Sequence, residues 1–449
     1  MKRTIALIMG LILSASALCA CGDTSEFSKK EQLSNDYTRS TDPTENYNYN
    51  DGANTPSAYN NYSSYLTDFE LKMFRNYYSL KDDKDNSFVL SPVNTSLQLG
   101  LIANGASGDT KSEIVFALGG SDLTAEEINQ CSSYFKSRME AVSKSGDNEV
   151  DELTGKKAEA TVNEYVKFEN NLFFNDTSDI KTSFMQTNSS FYGNDIFRFM
   201  FSDENALTKV NSHFSDFTQS NVISKIDENQ TLFSVSSIDI SDNWLDAYAK
   251  SDIEKGTFKS TDGEREVNYM TSNESYIKTE KAQGIIKYTS KNPLKLVLLM
   301  PNEDISLEDY IADFNNLEYS NLIGSVDITK KVTAKIPEFS IESGETAIAM
   351  SETLTESGLY SLFTDESTFN DMTHTDNFRL NEIYEVTPAI SVNASGIGGV
   401  NGNDDKEISE NRVKELEKTD MTVEFNRPFI FLLIDNESNI PVYIGTVNN

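Results

Sequence analysis

The rhythm of polar and apolar positions changes sharply near Leu66. Before it, Ser, Thr, Asn, Asp and Tyr dominate and few aliphatic residues occur. Such a stretch buries too little apolar surface to offset the entropy of ordering it. Residues 21–65 therefore read as a disordered tether, with a root-mean-square reach of ~35–40 Å. From Leu66, the residues Phe69, Met73, Phe74 and Tyr77 recur at helical spacing. A strand end at 87–90 then leads through Ser91-Pro92 into a buried helix carrying Leu97, Leu99, Leu101 and Ile102. A second helix is expected from Asp109, with Ile114, Phe116 and Leu118 inside. The polar run 146–159 reads as a loop insertion. Residues 168–174 predict a buried strand and 210–226 a helix carrying His213. Strand patterns follow at 232–240, 267–270, 275–279, 284–288, 294–300 and 332–341, with a helix at 353–362. The apolar runs 429–434 and 442–447 flank a polar turn, a hairpin signal. Helices lead and strands follow, so the fold class is α+β, one domain over 66–449 built on large antiparallel or mixed sheets.

Charge narrows the function. The net charge is −33, from 38 basic and 71 acidic residues, and no Lys/Arg-rich run occurs. Nucleic acid is excluded as a partner, because phosphate binding needs a basic patch. The acidity reads as solubility and self-repulsion at a cell surface. Only two histidines occur, His213 in the expected helix and His374 in a polar loop. No HExxH or CxxC is present, so no metal is expected. No GxxxxGK[ST], GxGxxG or GxSxG occurs either, so phosphate-loop and nucleophile-elbow chemistries lack support. No cofactor and no catalytic residue is expected, and the chain does not read as an enzyme.

The first 20 residues read as a targeting segment outside the fold. Lys2 and Arg3 precede an apolar run over 4–18, short for a bilayer span. Leu18-Cys19-Ala20-Cys21-Gly22 resembles the bacterial lipobox. That resemblance implies cleavage before Cys21, acylation of its thiol and a lipid anchor at the outer face of the bacterial membrane. The domain would then be secreted and held at the cell surface. Cys19 is an uncommon residue at its place in the motif. With Cys19 removed and Cys21 capped, Cys131 is left alone, and the mature chain forms no internal disulfide.

Three separated segments carry a wider resemblance. The first is FVLSPVNTSLQLGLIANGASGDTKSEIVFALG, from Phe88 to Gly119. The second is Trp244, the single Trp, just beyond an expected strand. The third is FNRPFIF, from Phe425, with Gly445 in the apolar run behind it. Between them NNLFF, LVLLMPNED and AKIPEFSIES fall in order. Together these are similar to the serpins, over about 66–449. The resemblance implies the serpin fold, with eight or nine helices and an exposed reactive-centre loop at about 396–424. It also implies a mechanism. A serine protease, or alternatively a cysteine protease, attacks the loop and forms an acyl-enzyme. The cut loop then inserts into the central sheet as an extra strand. The inhibitor supplies no catalytic residue, and a monomer is expected.

By the same resemblance the hinge falls at Ala394, Gly396, Ile397 and Gly399. Inhibitory serpins carry Glu, Gly, Thr and a run of Ala there; here Ala394 replaces Glu, Ile397 replaces Thr, and no Ala run follows. Ser91 matches a serine beneath the sheet, but the next serine falls on Asn94. The histidine of the preceding strand should fall at Glu385 or Val386, and Pro388 interrupts that strand. Trp244 belongs at the top of the sheet. Counting from the hinge puts the reactive bond at Glu410–Asn411, with Arg412 adjacent; counting back from FNRPF puts it at Glu417–Lys418. Arg412 and Lys414 would suit a trypsin-like protease. Gly398, Gly399 and Gly402 in an inserted strand would together subtract ~2–3 kcal/mol relative to Ala. One of Asp404 and Asp405 would have to face the core. The alternative function is a non-inhibitory serpin, cut as a substrate or used as a surface binding module.

Overall fold

The computed structural model describes residues 25–37, 55–145, 165–218, 220–291, 293–327, 330–342, 344–386, 389–398, 408–410 and 415–448. Two sheets and nine α-helices fill these residues.

The first sheet has nine strands. They are β1 (Phe88–Leu90), β5 (Ile253–Ser260), β6 (Gly263–Lys278), β7 (Ala282–Tyr288), β8 (Leu294–Pro301), β9 (Lys331–Pro337), β15 (Thr422–Glu424), β16 (Phe429–Asp435) and β17 (Pro441–Val447). Their order is β1-β17-β16-β8-β7-β6-β9-β15, with β5 beside β6. Strands β8, β16 and β17 are buried on both faces, which explains their unbroken apolar runs.

The second sheet has eight strands. They are β2 (Tyr165–Asn175), β3 (Asp195–Phe199), β4 (Leu232–Asn243), β10 (Phe339–Ile341), β11 (Ile348–Ala349), β12 (Leu380–Val386), β13 (Ile390–Val392) and β14 (Gly396–Gly398). One edge of β4 carries β2 along most of its length, and β3 lies beyond β2. The other edge is shared. Strand β12 pairs with Leu232–Ser237 in parallel, and β14 pairs with Ser241–Asn243 antiparallel.

Among the helices, α1 (Tyr59–Leu80), α2 (Pro92–Ala103), α3 (Gly108–Gly119) and α4 (Ala125–Ser145) come first. Helix α2 opens on Pro92, whose fixed φ suits a first turn. All twelve of its residues are buried, polar ones included. The largest core cluster joins α1, α2, α3 and α4 to the inner faces of both sheets. Helix α5 (Thr182–Phe191) follows β2, and α6 (Ala206–His213) lies over a second cluster containing Phe173, Phe197, Phe214 and Phe233. Helices α7 (Leu307–Asp313) and α8 (Asn316–Gly324) flank the first sheet, and α9 (Ser351–Glu356) follows β11.

The structure departs from the sequence pattern in three places. Part of the expected tether over 21–65 is packed. Phe27 stacks on Phe197 at 4.2 Å, Glu31 pairs with Lys209 at 2.7 Å, and α1 begins at Tyr59 rather than Leu66. A few aromatic and charged anchors suffice to seat residues 25–37 despite their polar composition. The helix expected over 210–226 stops at His213, because the Asn211 amide bonds both backbone groups of Ile223 and turns the chain back. The helix expected over 353–362 stops at Glu356, before Gly358 at φ +108°, a conformation that favours glycine. The expected insertion over 146–159 lies outside the described residues.

Candidate inhibitory hinge and loop

The shared edge of β4 is the heart of the site. Chain leaving β13 reverses through Asn393–Ser395 and returns as β14, which lies between β13 and β4. The Asn393 side chain makes the turn, its Oδ1 accepting from the backbone N–H of Ser395 at 2.9 Å and of Gly396 at 3.2 Å. Ile397 is fully buried, opposite Val392 on one side and Asp242 on the other. Ala394 is buried beside them. So the start of the expected hinge is already a strand of the second sheet. Gly399 lies outside the described residues.

Trp244 holds the turn from behind. It directly follows β4, is buried, and donates from Nε1 to the Asn393 carbonyl at 2.8 Å. The Lys287 ammonium lies 5.2 Å from its ring centre and pairs with Glu274 at 2.8 Å. Burial alone would depress Lys287, but the Glu274 carboxylate outweighs it and holds the lysine above its ordinary range.

Below the hinge, β12 and β14 reach β4 at Ser237 and Ser241, leaving a seam at residues 238–240. Tyr443 on β17 donates its hydroxyl to the Ile238 carbonyl at 2.9 Å, deep in this seam. Beside it Glu385 of β12 points under the sheet onto α2. Its Oε1 accepts from the Ser91 backbone N–H and its Oε2 from the Thr95 hydroxyl, each at 2.5 Å. Ser91 Oγ donates to the Val442 carbonyl at 3.0 Å. Asn94 accepts from the Asn170 amide at 2.8 Å. Burial pushes the Glu385 carboxyl up, against the two hydrogen bonds, to about 6. Of the two expected positions Glu385 and Val386, Glu385 is the one whose side chain reaches Ser91 and Thr95. Pro388 lies outside the described residues.

The two candidate reactive bonds sit in different settings. Glu410 is exposed; its carbonyl accepts from Ser251 N–H at 3.2 Å and its carboxylate meets Lys250 at 2.6 Å. Asn411, Arg412 and Lys414 lie outside the described residues. Glu417 is clasped by the Asn273 amide, which accepts from its N–H at 2.7 Å and donates to its carbonyl at 3.2 Å. Lys418 is exposed next to it, and the chain runs on into β15 along β9. Sequence reasoning did not pick out Asn393, Asn273, Lys250 or Tyr443, since ordinary polar residues carry no motif. Cys21 lies outside the described residues.

Two mixed sheets packed around buried helices, with one edge of β4 shared by β12 and β14, define the class of α+β protein to which the chain belongs. The family model described as Serpin (serine protease inhibitor) matches residues 64–449. The chain belongs to the serpin family. Among relatives, human Serpin B4 is 21% identical, over 86% of this chain and 98% of that protein. Mouse corticosteroid-binding globulin is 21% identical, over 85% of this chain and 90% of that protein. The native state of tengpin, a thermophilic serpin, superposes with a TM-score of 0.69 at 27% identity, covering 86% and 94% of the two chains. Human thyroxine-binding globulin complexed with thyroxine gives 0.71 at 18% identity, covering 88% and 99%, and shows likeness of fold.

Proposed function

We propose that this serpin is a suicide inhibitor of serine proteases, acting by loop cleavage and insertion into the second sheet. The observation that carries this reading is β14, the beginning of the loop already paired with β4 in the antiparallel sense that insertion requires. Continued insertion would extend β14 down the seam and separate β12 from β4. The paired residue numbers of β14 and β4 sum to 639, as in Ile397 with Asp242. In that register Asn401 would meet Ile238, Asn403 would meet Ser236 beside Glu385, and Asp405 would meet Ser234. Asn401, Asn403, Asp405 and Glu407 would share the face of Ile397, turned toward the core. The amides can find partners there; the Asp405 carboxylate, one inward-facing position beyond Glu385, inserts more easily when protonated. This residue pattern favours partial insertion at neutral pH. It also supports the second reading, a serpin cut as a substrate without trapping the enzyme.

The test is incubation with trypsin-like, elastase-like and glutamyl proteases, followed by a denaturing gel and mass mapping of the cut. A covalent band at the summed mass is expected, with cleavage at Glu410–Asn411, Arg412 or Glu417–Lys418. If every protease trims the loop and stays active, the inhibitor reading fails and the substrate reading stands. We further propose that Cys21 carries lipid and anchors the monomeric domain at the outer face of the membrane. The native chain should partition into the detergent phase and the Cys21→Ala chain into the aqueous phase; identical partitioning of the two would sink the anchor.

A further inference from the structure

Three side chains unrelated to the hinge converge where β2, β3 and α6 meet. Glu169 projects from β2, Asp195 opens β3, and His213 closes α6. One carboxylate oxygen from each acid and one imidazole nitrogen lie within 4.8 Å of one another. The Nε2 of His213 is 3.4 Å from Glu169 Oε1. A cation bound at ~2.0–2.2 Å to oxygen and nitrogen holds its ligands roughly 3–4 Å apart, so little movement closes this set.

The surroundings suit a cation. His213 and Glu169 are each a little over one fifth exposed, buried enough to be held and open enough for entry. Phe27 and Phe197 wall the imidazole, with ring centres at 6.0 and 4.9 Å, and a cavity of about 540 Å³ opens beside it. Ser34 donates to Asp195 Oδ1 at 2.7 Å, orienting a ligand from outside as supporting groups at metal sites do. The Asn171 amide nitrogen lies 2.8 Å from His213 Nε2 and 2.9 Å from Glu169 Oε1. The Asn171 Oδ1 accepts from the Asp195 backbone N–H at 3.3 Å, so this one amide braces all three candidate ligands. Lys136, whose charge reaches Glu169, is itself engaged by the Tyr192 carbonyl at 2.7 Å and by Glu140 at 3.7 Å, and Lys209 pairs with Glu31 and Asp203.

We propose that Glu169, Asp195 and His213 form a binding site for one divalent transition-metal ion of the zinc class, tying the end of α6 to β2 and β3. One imidazole with two carboxylates suits zinc, cobalt or manganese better than calcium or magnesium, which prefer all-oxygen sets. The ligands are 26 and 18 residues apart, on three elements, so no local motif announces them.

The test uses the whole mature chain, stripped with chelator. Titration calorimetry with zinc should give one equivalent bound, and cobalt should give a visible absorption band of tetrahedral or five-coordinate geometry. His213→Ala and Asp195→Asn should each weaken zinc binding at least tenfold and remove the cobalt band. His374→Ala should leave both unchanged. Chelator-treated melting curves identify any variant that fails to fold, and the second variant then decides. Zinc should also raise the wild-type melting temperature and leave that of His213→Ala unmoved. Absence of stoichiometric zinc binding, or binding that survives both ligand substitutions, overturns the site.

Discussion

Glu385 is a buried acid on β12, and its burial has a direction in pH. Its carboxyl is raised from an ordinary 4.5 to about 6 by loss of water, the bonds from Ser91 and Thr95 offsetting part of the shift. Below pH 4.5 the group is protonated in folded and unfolded chains alike and costs nothing. As pH rises through 6 the unfolded chain has already ionised, and the folded state must follow at a penalty. The difference amounts to about 2 kcal/mol above pH 7. Glu385→Gln keeps the shape and an acceptor for Ser91 without the charge. It should stabilise the fold by up to ~2 kcal/mol at pH 8 and change little at pH 4.5. Denaturant titrations at both pH values read this directly. Equal stability of the two proteins at pH 8 would mean that the charge is accommodated without cost.

Among the elements, the seam between β12 and β14 would govern how easily the second sheet opens under the proposed mechanism. The Tyr443 hydroxyl occupies the Ile238 carbonyl from below, and an entering strand must pass over that contact. Tyr443→Phe removes one buried hydrogen bond of about 1 kcal/mol while keeping the ring in place. It should lower native stability by that amount and speed loop insertion after cleavage, followed by intrinsic fluorescence of Trp244. An unchanged insertion rate would remove Tyr443 from the opening step. Much of this architecture was legible in the residues. The unbroken apolar runs of β8, β16 and β17 marked buried strands, and Ser91-Pro92 marked the start of α2. Trp244 directly follows β4, and Gly396 opens β14. The helix ends at His213 and Glu356 were not legible, because Asn211 and Gly358 act through side-chain contacts and a single dihedral, neither of which disturbs hydrophobic periodicity. The pairing of β14 with β4 joins residues more than 150 apart, and no local pattern reports such a contact.

For the whole molecule, the polar N-terminal stretch was the least readable part. Its composition argues for disorder, yet Phe27 finds a ready-made aromatic wall in Phe173, Phe197 and Phe199. Composition averages over a segment, whereas docking needs one well-placed ring and a few polar pairs. The acidic composition was legible. The metal-ligand cluster was not, since it exists only once three elements are assembled.

That docked segment also fixes how the molecule would be moored. Three residues lie between Cys21 and Ser25, four steps of chain with an extended length of about 13–14 Å. With lipid on Cys21, the body would lie close against the membrane on a short leash rather than float on a long one. The strap meets β3 at Phe197, level with Phe233 of β4, whereas β14 meets β4 around Asp242. Nine residues of strand, roughly 30 Å, separate those levels. Moored at the strap, the protein would hold β14 about 30 Å along β4 from its point of attachment, so that cutting the lipid free would leave the hinge end of the sheet untouched.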